Sequence, residues 1–284
     1  MLSSQKIIGV IIVILTVSLA GVYGYSYFST GGSENGQEEG ETQVWWIASD
    51  PHIGFHRANP LNSLEVAIED VNYLGIADYA IQLGDEIHET MEYRENFFEL
   101  MNSLEVENWY YILGNHDFEN PPREENLLPP VDMILNIMGM KWILISDHVG
   151  DIDGTMPENV REWFVNQILF SDKPVFVFSH QQPSGWEVWN EELRGLVRGS
   201  KLRAWFHGHV HHWGAQWFED QLLIFSDCSL DWKNNYNGVF MYLERKGDTV
   251  NVTLRFRYHE NHEWIETPLE GEYVENIRFS VEVA

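Results

Sequence analysis

Apolar residues along this chain fall into two rhythms. Short, nearly unbroken apolar runs at Val44 to Ser49, Tyr79 to Leu83, Trp109 to Leu113, Lys141 to Ser146, Pro174 to Phe178 and Leu202 to Phe206 read as strands buried on both faces. Between them, apolar positions recur at helical spacing. Leu64, Ala67, Ile68, Val71 and Leu74 predict one helix, with Asn62 or Ser63 as its N-cap and Gly75 as its stop. Phe97, Phe98, Leu100, Met101 and Leu104 mark a second. Val160, Trp163, Phe164 and Ile168 share one face of a third, over Glu158 to Phe170, and a fourth lies around Glu187 to Val197. After residue 212 the helical rhythm stops, and Gln216 to Ser226, Val239 to Glu244 and Val250 to Tyr258 read as successive strands of a more antiparallel region. Strands alternating with helices, then a run of strands, predict an α/β core completed by late strands. No repeat and no internal linker interrupts residues 44–284, which are expected to form one domain.

The N-terminus follows a different pattern. Ile7 to Phe28 is a 22-residue stretch without a charged side chain, long enough to cross a bilayer. Lys6 precedes it, and Glu34, Glu38, Glu39 and Glu41 follow, so the positive side is N-terminal and the remainder is expected outside the cytoplasm. A cleaved signal peptide is the competing reading, because Ser18-Leu19-Ala20 offers small residues for a peptidase. Residues 1–28 are therefore an expected membrane anchor or signal segment. The Gly-, Ser- and Glu-rich residues 29–43 are an expected flexible linker.

Charge narrows the partners. A net charge of -27, from 44 Asp and Glu against 17 Lys and Arg, repels polyanions, so a broad nucleic-acid surface is not expected. A small anionic substrate remains compatible if cations lie within the site. Cys228 is the only cysteine, which excludes an intrachain disulfide even for an exported chain. No feature of the sequence points to a protein partner.

Candidate chemistry collects where predicted strands end, which is where ligands gather in open α/β sheets. Gly114-Asn115-His116-Asp117 follows one strand and, taken alone, fits an ordinary turn. Four further strand ends supply partners: Asp50 and His52, Asp85, His180, and His209 with His211. All are oxygen or imidazole donors and none is a thiolate, a set suited to Mn, Fe or Zn rather than Mg or Ca. One tetrahedral zinc needs fewer ligands. Two divalent ions sharing a bridging carboxylate would use them all.

The order Asp50-x-His52, Gly84-Asp85, Gly114-Asn115-His116-Asp117, His180 and Gly208-His209-x-His211 resembles the calcineurin-like metallophosphoesterase superfamily over roughly Val44 to His212. Ser146-Asp147 and the helix carrying Trp163 add weaker similarity. The resemblance implies a four-layer α/β/β/α sandwich with two mixed sheets. It implies hydrolysis of phosphoesters, by a phosphatase or phosphodiesterase, through a dinuclear centre with a bridging hydroxide. Carried over by position, Asp50, His52 and His211 would hold the first metal, and Asn115, His180 and His209 the second. Asp85 would bridge them, one oxygen to each ion. His116 would not ligate but would contact substrate, protonating the leaving oxygen or stabilising developing charge.

One position departs from that family. Many members carry a second Asp three residues after the bridging one, where it orients the catalytic imidazole; this chain has His88. Purple acid phosphatases place a ligating Tyr there but lack the imidazole that His52 supplies. His88 is read as an extra ligand, a donor supporting one, or a substrate contact, with the last two preferred. Asp117, Glu86 or Glu89 could supply the missing carboxylate, and Asp117 could equally cap a helix. His207 and His212 flank true ligand positions and read as packing or supporting groups. His56 and Arg57 read as a loop and, less readily, as phosphate contacts; Trp186, Trp189, Trp213 and Trp232 are minor candidates for a pocket wall. A non-catalytic surface module that has kept a metal fold is the alternative from another class, and His88 is its sole support.

Overall fold

A computed structural model describes residues 42–55, 60–88, 91–117, 132–147, 157–183, 191–211, 214–226, 239–256 and 276–283. The expected anchor, nearly all of the linker, the loop at 118–131, Cys228, and His56, Arg57, Glu89, His212, Trp186, Trp189, Trp213 and Trp232 lie outside these. Among the described residues no helix is long and apolar enough to cross a membrane.

Twelve strands among the described residues form two mixed sheets of six. The first sheet holds β1 (Val44–Ala48), β2 (Tyr79–Gln82), β3 (Asn108–Tyr111), β10 (Val239–Lys246), β11 (Thr249–Phe256) and β12 (Asn276–Glu282), in the order β12-β11-β10-β1-β2-β3. The second holds β4 (Met133–Ile137), β5 (Met140–Ile145), β6 (Val175–Ser179), β7 (Leu202–His207), β8 (Gly214–Phe218) and β9 (Leu222–Ser226), in the order β4-β5-β6-β7-β9-β8. β1-β2-β3 run parallel, as do β5-β6-β7-β9, while the outer pairs are antiparallel. Four helices accompany them: α1 (Pro60–Leu74), α2 (Arg94–Met101), α3 (Glu158–Leu169) and α4 (Glu191–Gly199).

The period-2 alternation of side chains explains why the central strands read as unbroken apolar runs. On β1, Trp45 and Ile47 enter a core between the sheets, while Trp46 and Ala48 enter a second cluster with Leu64, Ile68 and Val71 of α1 and Phe97 and Met101 of α2. On β6, Phe176 and Phe178 face the same inter-sheet core, and Val175 and Val177 face Phe164 and Ile168 of α3 and Leu193 and Val197 of α4. Helices, sheet, sheet and helices thus stack as four layers. In the middle, Phe178, Phe206 and Phe225 from three adjacent parallel strands stack with ring centroids 5.0 Å apart.

Several boundaries differ from the sequence reading. Gln216 to Ser226 is two strands rather than one, turning at Glu219 and Asp220, both of positive φ (53° and 55°). β4 and β12 are additional. Leu104 lies beyond the end of α2 yet is buried with the same cluster. The late strands also divide, β10 to β12 completing one sheet and β8 and β9 the other.

Candidate metal centre

The expected ligands come from the carboxyl ends of parallel strands in both sheets: β1, β2 and β3 in the first, β6 and β7 in the second. The chain continues past β1 and β2 as a narrower ladder. Asp50 N–H donates to Gly84 O (2.9 Å), His52 N–H to Asp85 O (2.9 Å), Ile53 N–H to Glu86 O (3.0 Å) and His88 N–H to Ile53 O (2.9 Å). Backbone conformation is unusual here. Of the eight non-glycine residues with positive φ among the described residues, five are Asp50, His52, Asp85, His209 and His211. The others, Met138, Glu219 and Asp220, belong to hairpin turns, so left-handed backbone away from turns is confined to the expected ligands. Close packing accounts for the preceding glycines. A Cβ on Gly84, itself at φ +93°, would lie 2.6 Å from His180 Nδ1, and one on Gly114 would overlap the Asp85 carboxylate.

Three groups of possible ligands form among the described residues: His52, His88 and His116 make one, and the expected ligands make the other two, which share one residue. Of these two, Asp50, His52, Asp85 and His211 form the first, and Asp85, His180 and His209 the second. In the first, His52 Nε2 lies 3.1 Å from His211 Nε2, 3.4 Å from Asp85 Oδ2 and 3.7 Å from Asp50 Oδ1, and His211 Nε2 lies 3.3 Å from Asp50 Oδ1. In the second, His180 Nε2 is 3.3 Å from Asp85 Oδ2 and 3.2 Å from Asn115 Oδ1, which is 3.0 Å from His209 Nδ1. All seven expected ligands are thereby brought together. Ligands about 2.1 Å from an ion stand about 3.4 Å apart in tetrahedral and about 3.0 Å apart in octahedral geometry, close to these separations. Asp85 differs in detail from the one-oxygen-per-ion expectation. Its Oδ1 accepts the His116 N–H (2.8 Å), and Oδ2 alone faces both groups, buried and without a hydrogen bond.

Electrostatics suit a cation. Burial alone would raise the Asp50 carboxyl, but hydrogen bonds from His211 and His52 and the charges of His211 and His180 hold it well below the usual range. Burial opposes Asp85 in the same way, and the charges of His180 and His52 keep it lowered. His180 is disfavoured as a cation by burial, yet Asp85 raises it well above an ordinary imidazole. Partial burial and the charge of His180 push His209 down to about 4. Carboxylates held low beside these imidazoles make an anionic pocket whose charge a divalent ion would suit.

Supporting contacts fix the imidazoles. His180 Nδ1 lies 2.8 Å from Leu83 O, so this nitrogen carries the hydrogen and Nε2 faces Asp85 and Asn115. Asp50 accepts the His209 N–H (3.1 Å to Oδ2) and a hydrogen bond from Ser49 Oγ. His52 Nδ1 faces His88 Nδ1 at 3.3 Å, which makes His88 a neighbour of a ligand and of the His116 ring, stacked 4.6 Å away. Asp117 is buried and takes the Ile87 N–H on Oδ1 and the Gly114 N–H on Oδ2, both at 2.8 Å, tying the β2 and β3 loops together. Glu86, equally buried, accepts the Gly84 N–H (3.2 Å) and bonds to Asp117. His207 is buried, with Nδ1 donating to Gly208 O (2.9 Å). Asp147, at the end of β5, was noted in the sequence only as weak similarity. It is buried, holds the Gln181 amide at 3.2 Å and adds to the field on His180. Its strand-end position was the signal that could have drawn more weight.

Fold and donors together define an α/β sandwich with two adjacent groups of candidate metal ligands that share a carboxylate. The chain belongs to the calcineurin-like phosphoesterase family, whose description matches residues 45–213, more than half its length. Among solved structures, a dimetal phosphatase from Danio rerio superposes with a TM-score of 0.58 at 13% identity, over 85% of this chain and 99% of that one. Vps29 from Chaetomium thermophilum gives 0.48 at 10% identity, over 85% and 100%. A metallophosphoesterase from Sphaerobacter thermophilus gives 0.38 at 16%, over 72% and 84%. At 13% identity the likeness to the Danio rerio structure is one of fold. No curated protein matches the sequence.

Proposed function

We propose that this protein hydrolyses small phosphoesters with two divalent metal ions, Mn, Fe or Zn. The observation that carries this is Asp85 Oδ2, a buried anionic oxygen within 3.4 Å of an imidazole nitrogen from each group and without a hydrogen bond. Asp50, His52 and His211 would complete one position, and Asn115, His180 and His209 the other. When bound, the ions supply an acidified, bridging water as nucleophile and neutralise charge on the phosphoryl oxygens.

His116 is assigned the substrate-facing task. Its backbone N–H is committed to Asp85, while its half-buried ring lies 4.8 Å from that of His52, where it can give a proton to the leaving oxygen. The net charge of -27 favours small substrates over polymeric nucleic acid. We also assign Ile7 to Phe28 as an anchor holding the domain outside the cytoplasm; protease accessibility on intact cells tests it, and a protected domain would refute it.

The deciding experiment couples metal analysis to a panel of aryl phosphate, bis-aryl phosphate and nucleotides. Two ions per chain and turnover on a panel member, both lost in Asp85→Asn, are expected. Two bound ions without turnover on any member would instead assign a binding module.

A further inference from the structure

Resting on the metal-dependent reading, we propose that His88 is a positioning residue for two imidazoles at once. It fixes the tautomer of His52 at the first metal position and holds the ring of His116 by stacking.

The geometry is a short chain of ring contacts. His52 presents Nε2 to Asp85 Oδ2 and His211 Nε2, and presents Nδ1 to His88 Nδ1 at 3.3 Å. An imidazole that ligates through Nε2 has a lone pair there, so its hydrogen is on Nδ1 and needs an acceptor. The atom facing it is His88 Nδ1. Two hydrogens cannot share that gap, so His88 Nδ1 carries the lone pair and its hydrogen sits on Nε2. One cation at the first position thereby sets the tautomers of both rings.

His88 is itself well held. Its N–H donates to Ile53 O, and the Phe55 ring meets it edge-on at 4.7 Å. His116 lies 4.6 Å away with its plane inclined only 22°, a stack that limits where the catalytic imidazole can swing. At the second position the same service to His180 comes from a backbone carbonyl, that of Leu83. The first position depends instead on a side chain that substitution can remove.

Two variants separate the two tasks. His88→Phe keeps a ring against His116 but removes the acceptor for His52. His88→Asn keeps an acceptor near the Nδ1 position but removes the stack. Metal-free full-length chain titrated calorimetrically with Mn2+ is expected to show one of two sites weakened by about 10–100-fold in His88→Phe, with kcat at saturating Mn2+ falling less than in His88→Asn. In His88→Asn both affinities should hold while kcat falls. Long-range 15N spectra of the zinc-loaded wild type should place the His52 hydrogen on Nδ1. Wild-type Mn2+ affinity at both sites in His88→Phe, or a His52 hydrogen on Nε2, would overturn the proposal alone. A wild-type chain that takes up no divalent ion would overturn it together with the metal-dependent reading.

Discussion

The two halves of the centre are built differently. The second position is backed by main chain: His180 is fully buried and anchored on Leu83 O, with Asp147 and Gln181 behind it, while Asn115 and His209 are half-buried. The first position is backed by side chains: His52 leans on His88, and the His211 side chain is 13% exposed. Main-chain anchoring fixes a ligand before an ion arrives, whereas side-chain support leaves rotamers to be ordered on binding. The second position should therefore bind more tightly and exchange more slowly.

The largest effect should come from removing what the halves share. Asp85→Asn takes away the only carboxylate oxygen facing both groups, so both ions and all metal-dependent turnover should be lost; retention of one tight ion by metal analysis would show the halves to be independent. Next, His116→Ala should lower kcat by about 10²–10⁴-fold while both ions stay, because the backbone N–H that holds Asp85 survives the substitution. Loss of metal along with turnover would break that division of roles. A smaller effect compares the halves directly: limiting chelator should strip one ion first, and His211→Ala should abolish that early phase and leave the later one intact. Equal release of both ions would refute the asymmetry.

The smallest effect concerns the pair beneath both halves. Burial, followed by Asp117, raises Glu86 well above its usual value, and burial lifts Asp117 to about 6. Carboxyls raised in the folded state stabilise it below their unfolded values, near pH 4, and that contribution is lost as pH rises through the folded values. In metal-free protein this pair's contribution should therefore fall from about pH 4 to 6 and beyond, against the opposite contribution of His207 and His209, which are lowered to about 4. Asp50 and Asp85, which are lowered, act only on the acid side of that window. Glu86→Gln supplies an amide hydrogen in place of the shared proton. It should flatten the slope of Tm against pH; an unchanged slope would place the titration elsewhere.

Much of this was legible in the sequence because strand ends carry their chemistry locally. Asp50, His52, Asp85, Asn115, His180, His209 and His211 each follow an apolar run within a few residues, and the rule that ligands collect at such ends was enough to group them. What escaped notice depends on distance through space. His52 meets His88 across 36 positions, and Ile87 meets Asp117 across 30. Asp117, a candidate to orient His116, instead spends both oxygens on backbone N–H groups. β12 alternates well in Ile277, Phe279 and Val281, but seven residues of that kind without a neighbour in the sequence give no hint of the sheet they finish. The β8–β9 turn was marked only by Glu219 and Asp220, side chains tolerated in left-handed backbone rather than diagnostic of it.

The ladder that prolongs β1 and β2 past the sheet, from Asp50 to His88, has a consequence for folding order. Those amides belong to the same cooperative unit as the parallel strands, so their hydrogens should exchange with solvent deuterium as slowly as those of Ile47 or Ile81. The loops that carry the candidate ligands would then be cast with the sheet itself, so that an ion would meet a mould that has already set.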